Sequence, residues 1–337
     1  MRKRTGDGVA ISVISVQGVH KRYGGKPALA GLDLEVGPGT VHAVLGPNGA
    51  GKTTAVRIMS TLLRHDEGVV RVAGHDVRAD PAAVRARIGL LGQHAALDEE
   101  LDGRQNLEMF GRLHHLGARR AGARADDLLE RFGLADTGRK PVARYSGGMR
   151  RRLDLAASLI GTADGGDPAV LFLDEPTTGL DPRGRAEVWN AVRSLVGGGT
   201  TVLLTTQYLE EADRLADRIT LVDAGRAVAE GTADELKSRV GPDRIVVVLR
   251  DAADLARAAR LLTGPGRSVD EEELTIGLPV SDRMAGLTRT LRTLEEAGVE
   301  AVDLAVRRPT LDEVFLHLTG GPAPDRTRRD ASEEVSA

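Results

Sequence analysis

A glycine-rich segment at residues 46–54, GPNGAGKTT, contains the residue types that can enclose a phosphate group. It follows the apolar run VHAVL and precedes a helical pattern, which is the context that this motif requires. Glycines let consecutive backbone N–H groups point inward, and the helix start adds its positive dipole end. We predict that Lys52 reaches the β- and γ-phosphates of a nucleotide and that the Thr53 hydroxyl binds Mg²⁺. The predicted phosphate contacts are Gly46, Asn48, Gly49, Gly51, Lys52, Thr53 and Thr54.

Two adjacent acids, Asp174 and Glu175, end the apolar run VLFL. A carboxylate at a buried strand tip is costly unless it meets a cation, and Mg²⁺ supplies one. We therefore predict that Asp174 is a metal ligand and that Glu175 polarises the water that attacks the γ-phosphate.

A second glycine turn lies in YSGGMRR at residues 145–151, directly before another helical pattern. Ser146, Gly147 and Gly148 can offer a hydroxyl and backbone N–H groups to a phosphate. Because the loop around Lys52 already encloses one side of the nucleotide, the economical interpretation is that this turn grips ATP bound to a second copy of the chain. Two copies would then form an isologous two-fold dimer. The alternative is an ordinary helix cap formed by Ser146.

Alternating strand and helix patterns must position these motifs. Apolar patterns typical of strands occur at residues 14–16, 32–36, 41–45, 85–93, 169–173 and 201–205. Helical patterns occur at residues 105–117, 124–132, 147–160, 183–196 and 209–216. The alternation predicts an α/β fold with a parallel-sheet core and an antiparallel β portion near its start.

The character of the chain changes near residue 240, where RVGPD at 239–243 reads as a linker. Beyond it, shorter strand and helix patterns alternate, which predicts a small α+β domain. We predict the following organisation: a flexible tail at 1–12, an ATP-binding domain at 13–240, an accessory domain at 241–320 and a disordered tail at 321–337.

The composition excludes several classes of function. The 337 residues include no cysteine, which excludes thiol catalysis, disulfides and Cys-ligated zinc. A net charge of −3 gives nucleic-acid binding no electrostatic support, and we expect no nucleic-acid partner. No run approaches the roughly 18 apolar residues of a membrane helix. We expect a cytoplasmic protein whose membrane spans, if it works at a membrane, belong to other chains.

In their order and spacing, the motifs resemble the ATP-binding cassette family, the ATPase subunits of ABC transporters, over residues 14 to about 235. The resemblance implies a P-loop NTPase of the ABC ATPase fold: a parallel-sheet core, an antiparallel β subdomain and a helical subdomain. YSGGM at 145–149 stands where the family usually has LSGGQ.

The resemblance also implies roles for four further residues. Tyr23 would stack on adenine, and Gln93 would touch Mg²⁺ or water and sense the membrane partner. Asp181 would link the two nucleotide sites across the dimer. The alternatives are that Tyr23 is a surface residue in a turn, that Gln93 is a polar residue at a strand end, and that Asp181 caps a helix or stabilises a loop. Gln207 stands at the switch position, where the family usually has histidine. Glutamine can donate to a γ-phosphate oxygen but cannot carry a positive charge, so we expect a contact role without proton shuttling.

Four runs are similar to the daunorubicin/doxorubicin-resistance type of ABC exporter ATPase. They are LGQHAALD at 91–98, LDGRQNLEM at 101–109, TTQYL at 205–209 and RPTLDEVF at 308–315. This similarity implies a homodimer that pairs with a separate ABC-2-type membrane permease at the cytoplasmic face of the membrane. It implies export of a drug or another hydrophobic compound. The alternatives are export of a lipid or polysaccharide, or a soluble cassette that acts on ribosomes or DNA. The single GKTT loop and the short spacing to the second glycine turn favour the exporter.

Overall fold

A computed structural model describes residues 12–93, 96–161 and 166–319. The chain forms two compact units that divide between Ala233 and Asp234. The predicted tails at 1–12 and 321–337 lie outside the described residues, apart from residue 12. The predicted domain boundary at residue 240 follows helix α8 (Ala233–Ser238), which begins at the division. That boundary stays a prediction.

The elements of the first unit alternate as the sequence patterns predict. Its strands are β1 (Ile14–Tyr23), β2 (Lys26–Val36), β3 (Val41–Leu45), β4 (Glu67–Val72), β5 (His75–Asp76), β6 (Ile88–Leu91), β7 (Val170–Asp174), β8 (Thr201–Thr206), β9 (Arg218–Asp223) and β10 (Arg226–Gly231). Its helices are α1 (Lys52–Met59), α2 (Pro81–Arg85), α3 (Gly103–Leu113), α4 (Ala118–Arg131), α5 (Gly147–Ser158), α6 (Pro182–Gly197) and α7 (Leu209–Leu215).

The antiparallel sheet has the order β2-β1-β4-β5. In β1 the side chains of Ile14, Val16 and Val19 are buried, and the residues between them are more exposed. This alternation is the expected signature of a sheet that covers a core with one face. The predicted antiparallel portion near the start of the chain is therefore confirmed.

The central sheet has the order β10-β9-β3-β8-β7-β6, and every neighbouring pair is parallel except β9 with β10. Every residue of β3, β7 and β8 is buried, as expected for parallel strands that are covered on both faces. Since parallel strands end at the same edge, the ends of β3, β7 and β8 bring the predicted motifs to one place. The parallel α/β core is confirmed.

Helices α3, α4 and α5 pack on one another and form the helical part of the unit. The helix predicted at 105–117 ends at Leu113, and His115 has the left-handed φ of 63° that stops it. The helix predicted at 124–132 begins earlier, at Ala118. Its first turns, ARRAGA, contain no large apolar residue, so periodicity could not reveal them. Glycine is needed at position 111 of α3, because a Cβ there would lie 2.9 Å from that of Ala121 in α4.

The second unit is the predicted small α+β unit. It contains α8, β11 (Asp243–Leu249), α9 (Ala252–Leu261), β12 (Ser268–Asp270), β13 (Thr275–Val280), α10 (Arg283–Glu296), β14 (Ala301–Arg307) and α11 (Leu311–Thr319). The antiparallel sheet has the order β12-β13-β11-β14. Ile245 and Val247 of β11 are fully buried in a core with residues of α9 and α10. Among the residues described in the two units, no helix has the length and apolar character needed to cross a membrane.

Candidate nucleotide site

The glycine-rich loop joins the end of β3 to the start of α1, as the motif requires. Gly49 and Gly51 have φ of 85° and 103°, a backbone conformation that favours glycine. A Cβ on Gly51 would also lie 2.5 Å from the carbonyl oxygen of Ala28. The loop therefore needs glycine at this position for two independent reasons, conformation and packing.

Lys52 is buried at the first position of α1, and its ammonium group lies within this loop. Nζ donates hydrogen bonds to the carbonyl oxygens of Gly46 at 2.8 Å and Pro47 at 3.1 Å. It also lies 3.8 Å from Oε1 of Glu175. Burial lowers the pKa of Lys52, whereas the charges of Glu175 and then Asp174 act in the opposite direction. A cation is thus held between the phosphate loop and the two acids.

The three predicted metal ligands are hydrogen-bonded in a chain. The Thr53 hydroxyl donates to Oδ1 of Asp174 at 3.2 Å, and Nε2 of Gln93 lies 3.4 Å from that hydroxyl oxygen. Asp174 is buried at the end of β7 and also accepts a 2.5 Å hydrogen bond from Thr205 of β8. A hydroxyl, a carboxylate and an amide offer the oxygen atoms that Mg²⁺ prefers, so the residues present fit this ion.

Glu175 has an unusual backbone conformation, with a φ of 51°. Its N–H donates to both the carbonyl and the hydroxyl oxygen of Thr205, at 3.1 and 3.2 Å. Its own carbonyl oxygen accepts a hydrogen bond from Arg151 at 3.2 Å. The carboxylate faces Lys52 and Thr178. The main chain of Glu175 is therefore held on both sides while its carboxylate lies next to the phosphate loop.

The second glycine turn starts helix α5. The hydroxyl oxygen of Ser146 accepts a hydrogen bond from the N–H of Met149 at 3.2 Å, so Ser146 is the helix cap that was the alternative interpretation. The cap occupies an acceptor site and leaves the hydroxyl proton available as a donor. Gly147 is exposed and begins the first turn, whose N–H groups have no partners within the helix. Local geometry is thus compatible with both interpretations.

Asp181 lies beside this turn, in the same surface cleft of about 580 Å³. Its Oδ1 accepts a hydrogen bond from the N–H of Gly184 at 2.7 Å, so Asp181 caps helix α6. The helix-capping alternative therefore describes its contact within the chain. Its predicted role between two nucleotide sites stays a prediction.

Tyr23 and Gln207 lie at other points around the loop. Tyr23 ends β1, its side chain is 48% exposed, and Nζ of Lys21 lies 5.9 Å from the ring centroid. Gln207 is half-buried and directly follows Thr206, whose carbonyl oxygen accepts a 3.4 Å hydrogen bond from the N–H of Gly46. The structure brings Lys52, Thr53, Gln93, Asp174 and Glu175 into direct contact. It places Tyr23, Gln207, the Ser146–Gly148 turn and Asp181 outside that cluster.

Sequence reasoning missed the two residues that hold the main chain of Glu175. Thr205 donates to the Asp174 carboxylate and accepts from the Glu175 N–H, and its place at the end of the apolar run at 201–205 was a usable signal in the sequence. Arg151 binds the main chain of Glu175, but it is one of three consecutive arginines and nothing in the sequence distinguishes it.

A glycine loop between a central parallel strand and a helix, with two acids at the end of a nearby strand, defines a P-loop nucleotide hydrolase. Residues 29–178 match the family model described as ABC transporter. Daunorubicin resistance ATP-binding protein DrrA3 of Streptomyces coeruleorubidus is 69% identical, covering 96% of this chain and all of the relative. Daunorubicin/doxorubicin resistance ATP-binding protein DrrA of Streptomyces peucetius is 49% identical, covering 95% of this chain and 96% of the relative.

Among solved structures, cbiO1 of Clostridium perfringens, described as part of an ABC transporter complex, superposes with a TM-score of 0.61 at 26% identity. The match covers 67% of this chain and 90% of that structure. The chain belongs to the ATP-binding subunits of ABC transporters, within the daunorubicin/doxorubicin-resistance group. It is an ATPase coupled to transport, and the expected ABC ATPase fold is confirmed.

Proposed function

We propose that the chain is the ATP-hydrolysing subunit of an exporter for a drug or another hydrophobic compound. It works as a homodimer with an ABC-2-type permease at the cytoplasmic face of the membrane. The observation that carries the ATPase part is the contact cluster of Lys52, Thr53, Gln93, Asp174 and Glu175 at one edge of the parallel sheet. The similarity to drug-resistance proteins over nearly the whole chain supports the exporter part.

Nucleotide binding uses groups that already lie around the loop. The loop N–H groups from Gly46 to Thr54 would donate to the phosphates, with Asn48 at the exposed side of the loop. Lys52 would exchange its two carbonyl partners for β- and γ-phosphate oxygens, which is favourable because an ammonium binds an anion more strongly than a neutral carbonyl. Tyr23 would stack its exposed ring on the adenine.

Hydrolysis requires a base, a metal site and a γ-phosphate contact. Thr53, Asp174 and Gln93 would hold Mg²⁺, which when bound neutralises charge on the β- and γ-oxygens. Glu175 accepts a proton from the water that attacks the γ-phosphate. Gln207 donates a hydrogen bond to a γ-phosphate oxygen and stays neutral at every physiological pH.

In the proposed dimer, the Ser146–Gly148 turn of each copy completes the nucleotide site of the other. It contacts the γ-phosphate of ATP held by the other copy, and Asp181 joins the two sites across the two-fold axis. ATP binding would then close the dimer, and hydrolysis would reopen it. This cycle would shift the permease between inward- and outward-facing states.

Inverted membrane vesicles that contain the chain with its permease test the exporter. We expect ATP-dependent uptake of daunorubicin, followed by its fluorescence, and no uptake with the Glu175→Gln chain. ATP hydrolysis without uptake of daunorubicin or of any other hydrophobic drug would contradict drug export while leaving the ATPase in place. Recovery of the chain with ribosomes instead of membranes would favour the soluble alternative.

Replacing Tyr23 with alanine is expected to raise the KM for ATP about tenfold, because stacking on a base contributes about 1–3 kcal/mol. The kcat should change little, since the ring does not touch the reacting phosphate. Steady-state hydrolysis measured against ATP concentration checks both values. Tyr23→Trp is the matched control and should keep a KM close to that of the unchanged chain. An unaltered KM in Tyr23→Ala would show that Tyr23 is only a surface residue.

A further inference from the structure

Arg151 makes more contacts around the cluster than its position in an arginine run suggests. It lies near the start of α5, and its side chain is 12% exposed. Nε donates to the carbonyl oxygen of Pro176 at 2.7 Å, and Nη2 donates to that of Glu175 at 3.2 Å. Nη1 donates to the carbonyl oxygen of Gly92 at 3.2 Å. One planar guanidinium therefore joins three backbone carbonyls from two separate segments of the chain.

Asp154, one turn further along α5, holds this guanidinium in place. Its Oδ2 lies 3.2 Å from Nη1 of Arg151, and the carboxyl is buried. Burial lowers the pKa of Arg151 and raises the pKa of Asp154, while their mutual attraction opposes both changes. A pair of opposite charges inside the protein is costly to break, because removing one partner leaves the other uncompensated.

The carbonyls that Arg151 holds belong to residues with predicted roles in hydrolysis. Glu175 adopts a left-handed φ of 51°, a conformation that is strained for a residue with a side chain and persists only where its surroundings fix it. Thr205 fixes its N–H, and Arg151 fixes its carbonyl. Gly92 directly precedes Gln93, so the same guanidinium also holds the backbone next to the predicted metal ligand.

The side chains around Arg151 also share one cavity. A space of about 250 Å³ is lined by Gln93, Arg151, Asp154 and Glu175, together with Gly147 of the glycine turn. Helix α5 thus carries the turn at its start and the guanidinium one turn later, and both face the space that Glu175 and Gln93 border.

We propose that Arg151 is a positioning residue for ATP hydrolysis: its guanidinium fixes the main chain of Glu175 and of the segment before Gln93 relative to helix α5. Since α5 begins at the turn that grips the partner copy's ATP, Arg151 links contact with that ATP to the geometry of Glu175 and Gln93 in its own chain. This inference rests on the proposed function, in which Glu175 is the base.

The test compares Arg151→Gln with the unchanged full-length chain. Glutamine removes the charge and cannot reach three carbonyls at once. The kcat for ATP should fall about 100-fold, the size of effect expected when a reacting group is misplaced by about 1 Å. The KM for ATP should stay within about threefold, since the side-chain hydrogen bonds of Arg151 go to Gly92, Asp154, Glu175 and Pro176 and not to the phosphate loop at residues 46–54. Arg151→Lys keeps the charge but not the fork geometry, so its kcat should lie between the two.

Arg124→Gln is the matched control. Arg124 of α4 is as little exposed as Arg151, at 13%, and bridges Asp127 and Asp167 away from the cluster. Its replacement should lower the unfolding temperature about as much as Arg151→Gln while leaving kcat close to that of the unchanged chain. Circular dichroism of each variant gives the folded fraction to which kcat is referred.

Two results would overturn the inference. One is that Arg151→Gln and Arg124→Gln have the same kcat per folded molecule. If Arg151→Gln does not fold, an unchanged kcat in Arg151→Lys has the same meaning. The other is a raised KM with an unchanged kcat, which would assign Arg151 to nucleotide binding. Failure of the proposed function is distinguishable, because Glu175→Gln would then hydrolyse ATP at the normal rate whatever Arg151 does.

Discussion

Replacing Glu175 with glutamine is expected to lower ATP turnover roughly 100- to 10,000-fold, the usual contribution of a general base. Glutamine has the same size but cannot accept the proton of the attacking water. ATP affinity should stay close to normal, because Lys52 and the loop N–H groups remain. Since hydrolysis reopens the dimer in the proposed cycle, Glu175→Gln should accumulate as a dimer with ATP enclosed. Phosphate release and size-exclusion chromatography with light scattering measure the two effects.

Glu210→Gln is a suitable control for this variant. Glu210 is 59% exposed on α7 and pairs with Arg214 at 3.1 Å, a surface ion pair of little energetic value. Its replacement should leave both turnover and the oligomeric state unchanged. Normal turnover in Glu175→Gln would show that Glu175 is not the base.

Introducing glutamate at Gly147 is expected to abolish hydrolysis while leaving the fold and the binding of ATP to a single copy intact. Gly147 is exposed, and a Cβ there would meet only Leu180, at an ordinary 3.8 Å. An acid in the first turn of α5 should stabilise that helix by about 0.3–1 kcal/mol. In the dimer, however, the same charge would lie opposite the partner copy's triphosphate. Two like charges 4 Å apart repel each other by about 4 kcal/mol, which would weaken ATP-dependent dimerisation roughly a thousandfold.

Gly147→Gln separates charge from size, since the two side chains differ only in the ionised group. It should keep a substantial part of the activity that Gly147→Glu loses. The measurements are nucleotide affinity by fluorescence, thermal unfolding, and turnover. If Gly147→Glu hydrolyses ATP as fast as Gly147→Gln, the turn does not face a phosphate, and Ser146 is only a helix cap.

The phosphate loop and the two acids could be predicted because their chemistry is local. Glycines, a lysine and a threonine at fixed spacing between a strand and a helix admit few other uses, and Asp174 directly follows a buried run. The parallel core followed from the same buried runs. The β9–β10 hairpin was missed although its signals were present, namely an apolar run that ends at Asp223 and a turn at Ala224 and Gly225.

Arg151 could not be predicted for a different reason. Arg150, Arg151 and Arg152 are identical in type and adjacent, and only the packing of α5 decides which guanidinium reaches the carbonyls of Glu175 and Gly92. The left-handed φ of Glu175 is likewise a product of tertiary contacts. The role of the Ser146–Gly148 turn depends on a second molecule, so neither the sequence nor the cap geometry of one chain determines it.

Cross-linking of two different variants tests most directly whether paired copies share each nucleotide. The chain contains no cysteine, so single reporter cysteines can be placed freely. One copy carries Asn48→Cys at the exposed side of the phosphate loop, the other carries Ser146→Cys in the glycine turn, and both carry Glu175→Gln. With ATP, Mg²⁺ and a short bis-maleimide, the mixture should give a cross-linked dimer, and each variant alone should give almost none. Equal cross-linking of either variant with itself, or no ATP-dependent product even with the permease present, would contradict the shared site.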